Sequence, residues 1–65
     1  MITLTRISAP EADFFLFTIE RDGETSLRLT RAEAIARLAI FEVDDVERLV
    51  EDAAVYGRIV IHEHG

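Results

Sequence analysis

Residues Glu42 to Val55 read EVDDVERLVEDAAV, and the fold turns on how this stretch is taken. Val46, Leu49, Val50 and Ala53 recur at helical spacing, which predicts one apolar stripe on an amphipathic helix. At about 100° per residue, Glu47, Glu51, Asp44, Arg48, Asp52 and Asp45 fan across the opposite side. Glu42 stands just before the expected start. Between Glu42 and Asp52 lie six carboxylates and one arginine, which is −5 of the chain's net −6. Nearly all the excess negative charge is therefore expected on one helix.

Two readings of that face compete. In the first it is an ordinary solvated surface. Asp44, Asp45 and Glu47 would then sit in the first turn, where the helix dipole favours each by about 0.3–1 kcal/mol. Glu51 and Asp52 gain nothing there, and Glu47 meets Glu51 four residues on, a like-charge pair that costs roughly a few tenths of a kcal/mol. All seven basic residues are arginine, so no lysine offsets these acids. In the second reading the carboxylates form a ridge, spaced somewhat like phosphates, that binds a basic surface.

Sixty-five residues make one domain, 1–65, with one modest core. Hydrophobic residues at 49% and charged residues at 31% fit a globular chain rather than a disordered one. The absence of cysteine removes disulfides, zinc ribbons and thiolate chemistry, so packing alone must hold the fold. Met1 to Ile7 alternates and contains Arg6, unlike the apolar part of a signal peptide, and no stretch nears the roughly 20 apolar residues of a membrane span. A cytoplasmic protein is expected. A pI near 4.7 disfavours nucleic acid and anionic lipid as direct partners and favours a basic protein.

Outward from the acidic stretch, the remaining elements follow in order. Ile2 to Ile7 alternates and is rich in β-branched residues, a strand with Ile2 and Leu4 inward. Ser8 to Ala12 is a loop broken by Pro10. Asp13 to Glu20 reads as a second strand, with Phe15, Phe17 and Ile19 on one face and Phe14, Leu16 and Thr18 on the other. Asp22-Gly23 between two strand-like runs signals a tight hairpin. Thr25 to Leu29 would return, with Leu27 and Leu29 inward. Thr30 and Glu33 have the spacing of a capping box, so a first helix should run to about Ala39 with Ile35, Leu38 and Ala39 inward. Its outer face carries Arg31, Glu33 and Arg37 and is not acidic. Ile40 to Val43 connects to the acidic helix, and Gly57 stops it. Arg58 to Glu63 is a last strand whose Ile59-Val60-Ile61 run suits cover on both sides. The expected class is α+β: a small, three- to four-stranded, mainly antiparallel sheet with two helices packed on one face, in the order β-β-(β)-α-α-β.

Catalytic chemistry is poorly supplied. There is no cysteine, no lysine and no glycine-rich phosphate loop, and Ser8 and Ser26 have no evident base. His62 and His64 have ligand spacing on a strand, but a zinc site needs a third protein ligand and only carboxylates remain. No enzyme activity, no metal and no cofactor are expected. Helix, short connection, helix and strand also resemble a winged helix-turn-helix. A helix facing phosphates should be basic, however, and this one is acidic.

The chain opens with ITLTRISAPEADFFLFTIE, which holds Pro10-Glu11 and the run Phe15-Leu16-Phe17-Thr18-Ile19-Glu20, and it closes with Ala53-Ala54 and GRIVIHEHG from Gly57. In these two ends it resembles small phage-encoded anti-CRISPR proteins that act on type I surveillance complexes, of the I-F or I-C kind. The middle, Asp22 to Phe41, departs from that pattern. The resemblance implies an acidic double-stranded DNA mimic in the cytoplasm of a bacterial host. Such a protein binds the Cas8 large subunit of a Cascade complex and blocks recognition of the PAM and target DNA. It implies an interface role for Glu11 and, more loosely, Glu33. The ridge itself points to Asp44, Asp45, Glu47, Glu51 and Asp52, then Glu42 and Asp13. Rival expectations are an acidic interaction module, or DNA mimic, for another basic DNA-binding partner such as a repressor or nuclease, and a DNA-binding regulator. A monomer is expected first. A homodimer through edge pairing or through the Phe14/Leu16 face comes second.

Overall fold

Alternation at the start of the chain does build a strand, β1, Ile2–Arg6. Ile2 and Leu4 are fully buried while Thr3 and Thr5 face outward. The computed structural model describes residues 1–7 and 15–62, in which β1 is followed by β2 (Phe17–Arg21), β3 (Glu24–Leu29), α1 (Arg31–Ile40), α2 (Val46–Tyr56) and β4 (Arg58–Ile61). The strands form one open antiparallel sheet in the order β3-β2-β1-β4. β4 pairs with β1, from Ile2 opposite Ile61 to Thr5 opposite Arg58. The α+β class and the element order are those read from the sequence.

Both helices cover the face of the sheet that carries Ile2, Leu4, Phe17 and Ile19. Ala34 and Leu38 of α1, and Val50, Ala53 and Ala54 of α2, close the core from above. α2 lies across β1 and β4, and α1 across β2 and β3. Arg6 continues the inward parity of Ile2 and Leu4. Its Nη1 donates to the carbonyl of Ala54 at 2.6 Å, so a cation meets an otherwise orphaned acceptor in the last turn of α2. The same guanidinium lies 5.1 Å from the Phe15 ring centre.

The Asp22-Gly23 hairpin forms, with φ of 51° and 84°, the positive pair that a type I′ turn requires. Leu27, expected inward, is 65% exposed, whereas Leu29 is buried. A bulge is the reason. Phe17 faces Leu29, but Ile19 faces Ser26, so one extra residue is accommodated in β3, and Arg28 takes a left-handed φ of 58° there. The bulge turns Leu27 outward and returns Leu29 to the core.

Three further expectations are corrected. Ala39 is exposed, and Ala34 takes its place in the core because α1 docks on its Ala34–Leu38 line. Leu49 is only half-buried; Val50 and Ala53 carry the inner stripe of α2, joined by Ala54. β4 is an edge strand covered on one face, so Val60 is 43% exposed on the other. The expected loop at Ser8–Ala12, and Asp13, Phe14, Glu63 and His64, lie outside the described residues.

The α1 start follows the expected chemistry. Thr30 Oγ1 accepts from the Glu33 amide at 3.2 Å, and Glu33 Oε1 accepts from the Thr30 amide at 3.0 Å. These bonds favour the carboxylate and lower the Glu33 pKa from its ordinary 4.5. A carboxylate with a lowered folded-state pKa stabilises the fold above its unfolded pKa, and that contribution fades as pH falls through the folded value. Glu33→Gln should therefore melt lower than the parent at neutral pH. The gap should narrow below about pH 4.5, as thermal melts across pH will read.

Candidate functional site

The acidic helix begins later than its sequence suggests. α2 starts at Val46, so of the early acids only Glu47 lies in its first turn. Glu42, Asp44 and Asp45 belong instead to the connection between the helices. Asp45 holds the position before α2 in a left-handed conformation (φ 55°, ψ 38°), and its carboxylate makes no cap hydrogen bond. An aspartate there normally adopts an extended backbone and accepts from the second or third helical amide. Its backbone carbonyl still accepts from Leu49 at 3.0 Å.

Glu42 breaks a second local rule. The Glu42 amide donates to the Ala39 carbonyl at 3.0 Å and the Val43 amide to that of Leu38 at 3.1 Å. This is a Schellman closure of α1, with Val43 packed against the core. The residue that turns left-handed in such a closure is usually glycine, yet here Glu42 takes φ 61°. A carboxylate at a helix C-terminus also opposes the dipole. Glu42→Gly is thus expected to raise stability by about 1 kcal/mol, through relief of the left-handed backbone and loss of the misplaced charge. Chemical denaturation will measure it.

The connector and first turn of α2 together expose Glu42, Asp44, Asp45 and Glu47. Glu42 and Asp44 rim a shallow groove with Phe41, Val43, Leu49, Ile61 and His62. Arg21 reaches its wall, with the guanidinium carbon 4.4 Å from the Phe41 ring centre.

The later acids of the ridge separate from this group. Glu51 faces α1, where its Oε2 accepts from Arg31 Nη1 at 2.7 Å with both side chains more than half exposed. Its charge is therefore matched within the chain, contrary to the expectation of a free solvent-facing acid. Asp52 is half-buried. Glu33 is spent on the capping box. Glu11 and Asp13 lie outside the described residues. The expected set thus resolves into an exposed cluster at 42–47 and three acids with other surroundings. The Arg31–Glu51 contact spans twenty residues and follows from the docking of α1 on α2, for which the sequence holds no local signal.

Among the described residues, no group of three or more His, Cys, Asp or Glu is arranged to hold a metal ion. No helix among the described residues is long and apolar enough to cross a membrane. Comparison with family models, curated proteins and solved structures finds no match.

Proposed function

We propose that the chain is an anti-CRISPR inhibitor, an acidic mimic of double-stranded DNA. In this reading it docks on the Cas8 subunit of a type I Cascade complex and blocks PAM and target-DNA binding. The observation that carries the electrostatic half of the reading is the exposed cluster Glu42, Asp44, Asp45 and Glu47. Two of these acids sit where local stability prefers another residue or conformation, as expected of side chains kept for binding. The naming of Cas8 as the receptor comes from the resemblance at the two ends of the chain.

A PAM-reading groove grips phosphates and base edges through arginine and lysine. Carboxylates replace phosphate oxygens there and accept paired hydrogen bonds from guanidinium groups. Attraction between opposite fields speeds encounter and weakens with salt. Occupancy alone then excludes DNA, without catalysis or cofactor.

A gel shift with purified surveillance complex tests the competition. DNA binding should vanish at saturating inhibitor, and inhibition should weaken as salt rises. DNA that stays bound overturns the mechanism. Loss of capture by Cas8, with retained capture by a purified basic repressor or nuclease, would move the same surface to the rival partner.

A further inference from the structure

The geometry points to a second interaction surface, the open edge of β4, which pairs with β4 of a second copy across a two-fold axis. The two edges of the sheet differ. β3 carries a bulge, a left-handed Arg28 and flanking charges, devices that discourage strand addition. β4 pairs with β1 in unbroken register and has no bulge or proline, and its one charged residue, Arg58, stands at its start. Its centre is Ile59-Val60-Ile61.

The direction of the free backbone groups follows from the inner pairing. The Arg6 amide donates to the Gly57 carbonyl, which places Gly57, and by alternation Ile59 and Ile61, on the β1 side. Arg58, Val60 and His62 therefore aim their backbone N–H and C=O groups at the open edge. Among the described residues, no backbone group bonds to these positions from outside.

An antiparallel second copy centred on Val60 fits this edge. Val60 meets its own equivalent, Ile59 meets Ile61, and Arg58 meets His62. The Val60 and Arg58–His62 pairs fall at positions that exchange both backbone hydrogen bonds. The apolar pattern reads the same in either direction, as a two-fold contact requires.

The helix layer continues the seam. Leu49 and Tyr56 lie on the flank of α2 nearly opposite Glu51, which faces α1, so they overhang the β4 side. Tyr56 is 76% exposed. With strands about 4.8 Å apart and α2 lying across β1 and β4, the two-fold sets the paired α2 helices about 10 Å apart, a packing distance. A contact of about a tenth of each 4578 Å² protomer, over the edge, Val60, Leu49 and Tyr56, would bury roughly 900 Å² in total, an area typical of weak, transient association. Micromolar dissociation is the expected range. The outcome is one eight-stranded sheet with a helix layer on one side.

Sedimentation equilibrium of the unmodified chain should show mass rising from 7.4 kDa to twice that value over the micromolar range. Amide exchange of Val60 should slow with concentration, while Ile59, bonded to β1, stays protected throughout. Val60→Lys and Val60→Pro should each remove the dimer, and Leu27→Lys on the guarded edge should leave it. Retained circular dichroism will confirm that the variants fold. Glu47→Lys, one turn before Glu51 and outside the groove that Asp44 shares with Leu49, Ile61 and His62, should dimerise as the parent does, which separates this surface from the acidic one. A monomer at all concentrations overturns the pairing. So does a dimer indifferent to both Val60 variants, or a Val60 amide whose exchange ignores concentration.

Discussion

Phe17→Ala is expected to bring the fold to the margin of stability at room temperature. Phe17 is the largest fully buried side chain and sits on an inner strand, paired with Arg6 on β1 and Leu29 on β3. It borders a groove lined by Phe15, Thr30, Arg31, Ala32 and Ala54, at the start of α1 and the end of α2. Removal of a buried phenyl ring typically costs about 3–5 kcal/mol. A chain of 65 residues holds in all about 3–10 kcal/mol. The loss thus takes a third or more of the total, with no disulfide to limit it. Urea denaturation should show the midpoint moved most of the way to zero denaturant. Leu49→Ala is expected to cost less, because Leu49 is only half-buried. Equal costs for the two would contradict the placement of the core.

If the proposed docking on Cas8 holds, Asp44→Lys/Glu47→Lys should weaken it by about 100-fold or more and lower the melting temperature by only a few degrees. Both side chains are exposed, and neither is in a hydrogen bond or ion pair seen among the described residues. Asp44 lies off the helix, and Glu47, in the first turn of α2, gives up about 0.3–1 kcal/mol of helix-dipole stabilisation on reversal. In a charge-matched interface, by contrast, loss of one member of a desolvated pair costs about 2–5 kcal/mol, and reversal adds repulsion. Glu51→Lys is the informative comparison. It breaks the Arg31 contact, an exposed ion pair worth roughly 0–1 kcal/mol, and should touch binding little. Titration of Cas8 with the three proteins ranks them. Should Glu51→Lys bind worse than Asp44→Lys/Glu47→Lys, the outer face of α2 and not the connector carries recognition.

Glu42→Gly makes a further contrast. It should stabilise the fold while it weakens the acidic cluster, so stability and binding move in opposite directions. A residue retained only for structure would not behave so.

Local chemistry made much of the fold legible. Alternation marked β1, Asp22-Gly23 marked the hairpin, Thr30 and Glu33 marked the start of α1, and Gly57, at φ 90°, ended α2. Each is a short-range preference whose partners lie within a few residues. The start of α2 was less legible, because Asp44 and Asp45 satisfy a helix pattern as well as they satisfy a loop. The Schellman closure at Glu42 chose the loop, with Val43 drawn into the core.

The sequence by itself determined the element types, the concentration of negative charge between Glu42 and Asp52, and the inward face of β1, since these depend on residue type and spacing along one chain. Only the tertiary structure decided that β4 lies at the edge beside β1, that a bulge at Arg28 exchanges Leu27 for Leu29, and that Arg31 claims Glu51. Those outcomes depend on which surfaces meet across the fold. A side chain twenty residues away along the chain exerts no local preference until packing brings it within bonding distance.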